Sequence, residues 1–177
     1  MAERNRSTPI DHSLVAEYLS YCPETGHIVW IKKPAQNIPV GRVAGCIRVA
    51  DRGYVVIGFR RRTYYAHRLA WALHTGTDLP AGAVIDHRNG DTSDNRWSNL
   101  RIGTQSQNLA NSDHQVGRSG VRGVIYDKAK RKWRAQISHQ GKCKWLGNFD
   151  SVEEAAATRR AAEGRLYGEF SFTESRK

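Results

Sequence analysis

The sequence predicts an α+β chain, on three observations. Short apolar stretches alternate with period two, most plainly over Lys132–Ser138, where Trp133, Ala135 and Ile137 interleave with Lys132, Arg134, Gln136 and Ser138. Short helical patterns carry their own start and stop signals, namely Thr104-x-x-Gln107 and Ser151-x-x-Glu154 at the starts and Gly76 and Gly168 at the stops. Strands precede a helix in each part of the chain, with turn residues between them.

The elements follow in order. Residues 1–9 read as frayed, and 11–19 as a short helix capped by Asp11. Strand-like pieces then run over 26–31, 42–49, 54–59 and 63–66, with Asp51-Arg52-Gly53 as a hairpin turn. Residues 67–74 have helical apolar spacing, ending near Gly76. Ala83-Val84-Ile85 reads as a strand delivering Asp86 and His87 to its end, 88–98 as a polar loop, and Leu100-Arg101-Ile102 as a second strand. A helix is expected from Gln105, directly after its Thr104 cap. Ser112–Ser119 reads as a linker. Strands at 122–126, 132–138 and 142–146 follow, then an Ala-rich helix from the Ser151 cap to about Tyr167. Val152, Ala155, Ala162 and Leu166 form its sheet-facing stripe, and Gly168 stops it.

Charge narrows the function. The 177 residues carry a formal net charge of +11, which makes a polyanion the default partner, because each neutralised phosphate releases condensed counterions. The excess is not a tail: residues 1–111 hold 14 Lys and Arg against 9 Asp and Glu, and residues 112–177 hold 14 against 8. Cys22, Cys46 and Cys143 are isolated, without a Cys-x-x-Cys pair, so a zinc knuckle is disfavoured and reduced thiols in a cytoplasm are expected. Neither a signal peptide nor a run of 18 apolar residues is present, so no membrane association is expected.

The chemistry concentrates in one polar stretch. Asp86-His87-Arg88-Asn89-Gly90-Asp91 is followed by Asn95, by Asn99 twelve residues after His87, and by Asn108 nine further on. A carboxylate and an amide can hold a hard divalent cation, and a histidine beside them can take a proton from water. A hairpin followed by a helix places these groups around one point. Asn95 and Asn99 also suit turns, through local side-chain-to-backbone bonds, and His67 and His74 read as ordinary surface or core histidines. Arg60, Arg61 and Arg62 sit together at a strand–strand connection, where they can meet phosphate.

Tyr65-Ala66-His67-Arg68-Leu69-Ala70-Trp71, Ile85 to Asp91, Asn95-Arg96-x-x-Asn99-Leu100-Arg101 and Thr104-Gln105-x-x-Asn108 together resemble the HNH endonuclease family common in phages, over roughly residues 53–112. The resemblance implies a ββα-metal finger. It further implies that Asp86 and Asn108 ligate a single Mg²⁺ or Mn²⁺, that His87 is the general base, and that Asn99 orients the His87 loop. The last position of the motif is an Asn here rather than a His, as in one known subgroup.

The last third carries a second resemblance. Gly120-Val121-Arg122-Gly123-Val124, Lys132 to Ile137, Trp145-Leu146-Gly147-x-Phe149 and Glu153-Glu154-Ala155-Ala156 look like the AP2 DNA-binding domain of plant ethylene-response factors, a three-stranded sheet backed by a helix. That implies DNA contacts from Arg122, Arg134, Gln136 and Trp145, with Lys142 and Lys144 on phosphates. Where plant members usually carry Arg two residues before the Trp, this chain has Cys143.

Together the segments read as a support region at 1–52, a nuclease finger at 53–112, a linker at 113–119, an AP2-like reader at 120–171 and a tail at 172–177. The expected function is a metal-dependent endonuclease on double-stranded DNA, of the phage or mobile-element homing kind. It would act as a monomer in the host cytoplasm, without a nucleotide cofactor. The alternative from another class is a non-catalytic DNA-binding regulator with a degenerate finger; an RNA-directed protein is a third.

Overall fold

The computed structural model describes residues 10–51, 53–111 and 119–171. The expectations for residues 1–9, for Arg52 in its turn, for most of the 112–119 linker and for the tail after Ser171 therefore lie outside the described residues. The fold is a mixture of helices and several small antiparallel sheets, divided into two compact units, residues 1–102 and 103–177.

In the first unit, helix α1 (His12–Tyr18) begins where Asp11 accepts the Leu14 N–H at 3.0 Å. The sequence pattern predicts a helix through Leu19. Leu19 is instead extended and opens β1 (Leu19–Tyr21), which pairs with β2 (Ile28–Trp30). The pairing partner of Leu19 is Trp30, beyond the intervening turn, and local propensity does not reveal it. Three more strands, β3 (Cys46–Arg48), β4 (Tyr54–Phe59) and β5 (Arg62–Tyr65), form a sheet in that order.

Arg60 and Arg61 form the two-residue turn between β4 and β5, with φ of +48° and +62°. Such a turn matches the right-handed strand twist but suits Asn-Gly better than two arginines. Arg60 lies over the rings of Tyr18 and Phe59, a cation–π arrangement that offsets part of the strain.

Helix α2 (Ala66–Thr75) ends at Gly76, which takes the left-handed conformation at φ +70°. Strands β6 (Ala83–His87) and β7 (Leu100–Thr104) then pair as a two-stranded ribbon. The core of this unit is built from Val15, Leu19, Trp30, Ile57, Leu69 and Ile85. It fixes the base of the β6–β7 ribbon through Ile85 and Leu100.

The second unit starts within β7. Helix α3 (Gln105–Asn111) carries the expected capping box, with Gln107 N–H on Thr104 Oγ1 and Thr104 N–H on Gln107 Oε1 at 2.7 Å. Strands β8 (Val124–Asp127), β9 (Lys132–His139) and β10 (Lys142–Phe149) form an antiparallel sheet in the order β10-β9-β8. Helix α4 (Val152–Tyr167) packs on one face of it. Ala135, Ile137 and Ala155 are buried at that junction, as the alternation and the alanines indicate.

The helix face also buries an ion pair, Arg159 to Glu163 at 2.9 Å, which the apolar stripe did not foreshadow. Burial lowers the Arg159 pKa from its usual value. Gly123, at φ +74°, comes so close to the Gln136 carbonyl that a Cβ there would stand 2.3 Å from it. All three cysteines are free thiols. Among the described residues no helix is long and apolar enough to cross a membrane.

Candidate active site

The last two residues of β6 are Asp86 and His87, both buried, with His87 only 3% exposed. From here the chain leaves the strand in a polar loop and returns through a short 3-10 turn, Trp97–Asn99, into β7. A polar loop of this length holds one shape only if its own side chains satisfy its backbone. They do so here. Arg88 N–H donates to the Asn99 carbonyl at 2.9 Å, and Gly90 N–H to the His87 carbonyl at 2.9 Å. Asn99 uses both ends of its amide: Oδ1 accepts from Asn89 N–H at 3.0 Å, and Nδ2 donates to the Asp94 carbonyl at 2.7 Å.

Asp94 ties the far side. Its carboxylate takes Arg96 Nε at 2.8 Å and Nη2 at 2.6 Å, and Asn89 Nδ2 at 2.8 Å. The Arg96 hydrogen bonds hold the Asp94 pKa down at about 2, so this clasp stays charged far into the acid range. Asp91 closes the tip by accepting from Ser93 N and Oγ at 2.9 and 2.7 Å.

The Asn99 amide thereby ties two separate stretches of this loop together. The Asn99→Ala variant leaves Asn89 N–H and the Asp94 carbonyl without their amide partner. It is expected to cost about 1–3 kcal/mol, read as a lower denaturant midpoint at unchanged slope.

Around His87 the structure brings further groups together. Asn95, itself buried, places Oδ1 at 3.2 Å from His87 Nε2. His67 meets the His87 ring edge-on at 5.3 Å between centroids, and Tyr54 stands 5.8 Å from the same ring. Thus His67, which the sequence treats as ordinary, lines the candidate site. Burial pushes the His87 pKa below the ordinary histidine value. The Asn95 contact and the nearby Asp86, Asp91 and Asp94 charges pull the other way without reversing it. The ring is therefore neutral at neutral pH and able to accept a proton.

Arg101 on β7 donates from Nε to Asp86 Oδ2 at 2.8 Å and from Nη2 to the same oxygen at 2.7 Å. Both side chains are enclosed. The pair fixes the carboxylate in place beside His87.

The hairpin thus gathers Asp86, His87 and Asn99, together with Asn95 and Arg101. Asn108 lies half-buried on α3, in the second unit. Asp86 and Asn108 offer only hard oxygen donors, which fit Mg²⁺ or Mn²⁺ in kind and not a soft metal. Among the described residues no group of three or more His, Cys, Asp or Glu side chains could hold a metal ion.

The residues expected to touch DNA fall in three places. Arg60, Arg61 and Arg62 are exposed at the β4–β5 turn. On the second-unit sheet, strand register decides which side chains share a face. Trp145 pairs with Gln136, and Ile125 with Arg134, so these four lie on the face away from α4. Trp145 is 64% exposed there. Lys144 pairs with Ile137 and Lys142 with His139, which puts both lysines on the other side of the sheet, near its end. Arg122 donates from Nη1 to the Leu109 carbonyl at 2.9 Å, so its guanidinium tethers the end of α3.

The sequence profile described as HNH endonuclease matches residues 64–110. An uncharacterised HNH endonuclease of Acanthamoeba polyphaga mimivirus is 27% identical over 105 residues, 59% of this chain and 54% of that protein. Protein 3.8 of Escherichia phage T7 is 27% identical over 106 residues, 59% of this chain and 86% of the relative. The chain therefore spans about half the length of the mimivirus relative. No solved structure matches it.

Proposed function

We propose that this chain is a DNA endonuclease of the HNH type, dependent on Mg²⁺ or Mn²⁺, that hydrolyses phosphodiester bonds in duplex DNA. The observation that carries this reading is His87 beside Asp86 at the end of β6, on a loop whose polar groups hold one another in place. The profile match over residues 64–110 and the mimivirus relative's name support the same class. Hydrolysis needs a group that takes a proton from the attacking water, and a neutral imidazole serves that purpose near pH 7. Arg101 holds Asp86 in orientation, and Asn99 holds the backbone that carries His87. Asp86 and Asn108 are the oxygen donors proposed for the cation. Bound there, it would neutralise charge developing on the phosphate.

The proposed substrate is held by charge spread over the whole chain, at net +11. We assign base and backbone contacts to the AP2-like sheet through Arg134, Gln136 and Trp145. Arg122, Lys142, Lys144 and the arginines at 60–62 contribute charge nearby. The viral sources of both relatives favour a phage or mobile-element homing role. We further propose that the chain acts as a monomer in the host cytoplasm.

The test is incubation of phage or host genomic DNA with the purified chain and Mg²⁺ or Mn²⁺. Cleavage that a chelator stops is the expected result, with duplex DNA outcompeting RNA. A second reading, a DNA-binding regulator with an inactive finger, has one observation in its favour. His87 is almost fully enclosed, and the Asp86 carboxylate is already taken up by Arg101. Tight duplex binding without cleavage under any divalent cation would decide for it.

A further inference from the structure

Residues 19–30 acquire a purpose from what they touch. Tyr21 on β1 donates its hydroxyl to the Asn95 carbonyl at 2.8 Å, and Trp97 N–H donates to the Pro23 carbonyl at 2.9 Å. Gly26, in the left-handed region at φ +75°, comes so close that a Cβ would stand 2.6 Å from Asn95 C and 2.5 Å from Arg96 N. The turn between β1 and β2 therefore grips the backbone of Asn95 to Trp97 at three points. Burial, with Cys22, Glu24 and Asp94 adding to it, pushes the Tyr21 phenol up to about 12, so it remains a donor throughout the working range.

Asn95 has only one consistent orientation in this grip. Its Nδ2 donates to the Ser93 carbonyl at 3.3 Å, which turns Oδ1 toward His87 Nε2 at 3.2 Å. The reversed amide would set oxygen against oxygen at Ser93, so the Ser93 bond fixes the orientation. An amide oxygen only accepts, so the neutral imidazole must carry its proton on Nε2 and its lone pair on Nδ1.

We propose that Asn95, clamped by the β1–β2 turn through Tyr21, Pro23 and Gly26, is a positioning residue that fixes the His87 tautomer and so makes Nδ1 the proton-accepting atom. This rests on the nuclease reading for its purpose, but not for its geometry.

The test reads the tautomer directly. ¹⁵N-histidine-labelled protein is examined by NMR with the His87 ring neutral, in wild type, Asn95→Ala, Asn95→Asp and Tyr21→Phe. Wild type is expected to show Nε2–H alone. Asn95→Ala should give a mixture, and Asn95→Asp, which restores an acceptor, should return the ring to Nε2–H. Tyr21→Phe removes a single hydroxyl and should give partial mixing in a folded protein. In cleavage assays Asn95→Ala should lower kcat several-fold or more at unchanged KM for the duplex. A wild-type ring protonated on Nδ1 would overturn the proposal, and so would an Asn95→Ala ring that stays wholly Nε2–H in a folded protein. Absence of cleavage by the wild type would instead remove the nuclease reading and leave the tautomer result standing.

Discussion

His87→Ala is expected to cleave duplex DNA about 10²–10⁴-fold more slowly than wild type, the usual range for loss of a general base. Its affinity for the same duplex should be nearly unchanged. The two halves of the expectation have separate physical causes. The imidazole contributes through proton transfer, and a methyl group in its place transfers none. Binding comes from the counterions released by basic side chains elsewhere, and a neutral ring contributes no charge to that. Truncating a buried ring also leaves a cavity, so a folded-state check by circular dichroism belongs beside the kinetics. A change in KM with kcat intact would point to lost substrate binding instead and would remove His87 from the chemical step.

Arg101→Met is expected to be the most destabilising single change at the site. The Arg101 and Asp86 side chains are only 5% and 4% exposed. Taking away the guanidinium leaves the carboxylate enclosed without the charge that balances it, and breaking such a pair typically costs about 3–5 kcal/mol. Against the roughly 5–15 kcal/mol total stability of an ordinary protein this is a large fraction. Urea denaturation should show it as a marked fall in midpoint. The double variant Asp86→Asn with Arg101→Met should recover part of the loss, since no unbalanced charge then remains. A midpoint shift worth less than about 1 kcal/mol for the single variant, the level of an exposed pair, would mean that Arg101 does not hold Asp86 as described.

What the sequence revealed here was mostly local. The Asp11 and Ser151 caps, the Thr104 capping box and the alternation over β9 are set by residues within a few positions of one another, and each appears in the structure. The Asp86–His87 strand end and the turn at Gly90 belong to the same class. Groups that meet through strand pairing were harder to see. Arg101 lies 15 residues from Asp86, and only the β6–β7 ribbon brings them together. Asn95 and Asn99 sit in one Asn-rich loop, and composition does not say which faces the imidazole. The structure gives Asn95 the ring and Asn99 the backbone.

The same limit applies to the second-unit sheet. Lys142, Lys144 and Trp145 are neighbours in sequence, and alternation alone sets the lysines opposite the tryptophan, but only the register against β9 shows which of them shares the α4 face. The four-residue spacing of Arg159 and Glu163 was a visible signal of pairing, but an Ala-rich helix gave no reason to expect the pair inside. The purpose of residues 19–30 depended on contacts made about 70 residues later, Tyr21 to Asn95 being 74 apart, and no local pattern carries that information.

The most direct test of a neutral His87 as proton acceptor is the pH dependence of single-turnover cleavage. Burial lowers the His87 pKa, so the active, unprotonated ring persists below the ordinary histidine value of about 6.5. By the same sign, the folded ring binds protons less readily than the unfolded one, so its contribution to stability is whole above about 6.5 and is lost as pH falls. The account expects a rate plateau that extends below pH ~6.5 before an acid limb, with that limb absent from the residual activity of His87→Ala. An acid limb centred above that value in wild type, or the same limb surviving in His87→Ala, would contradict it.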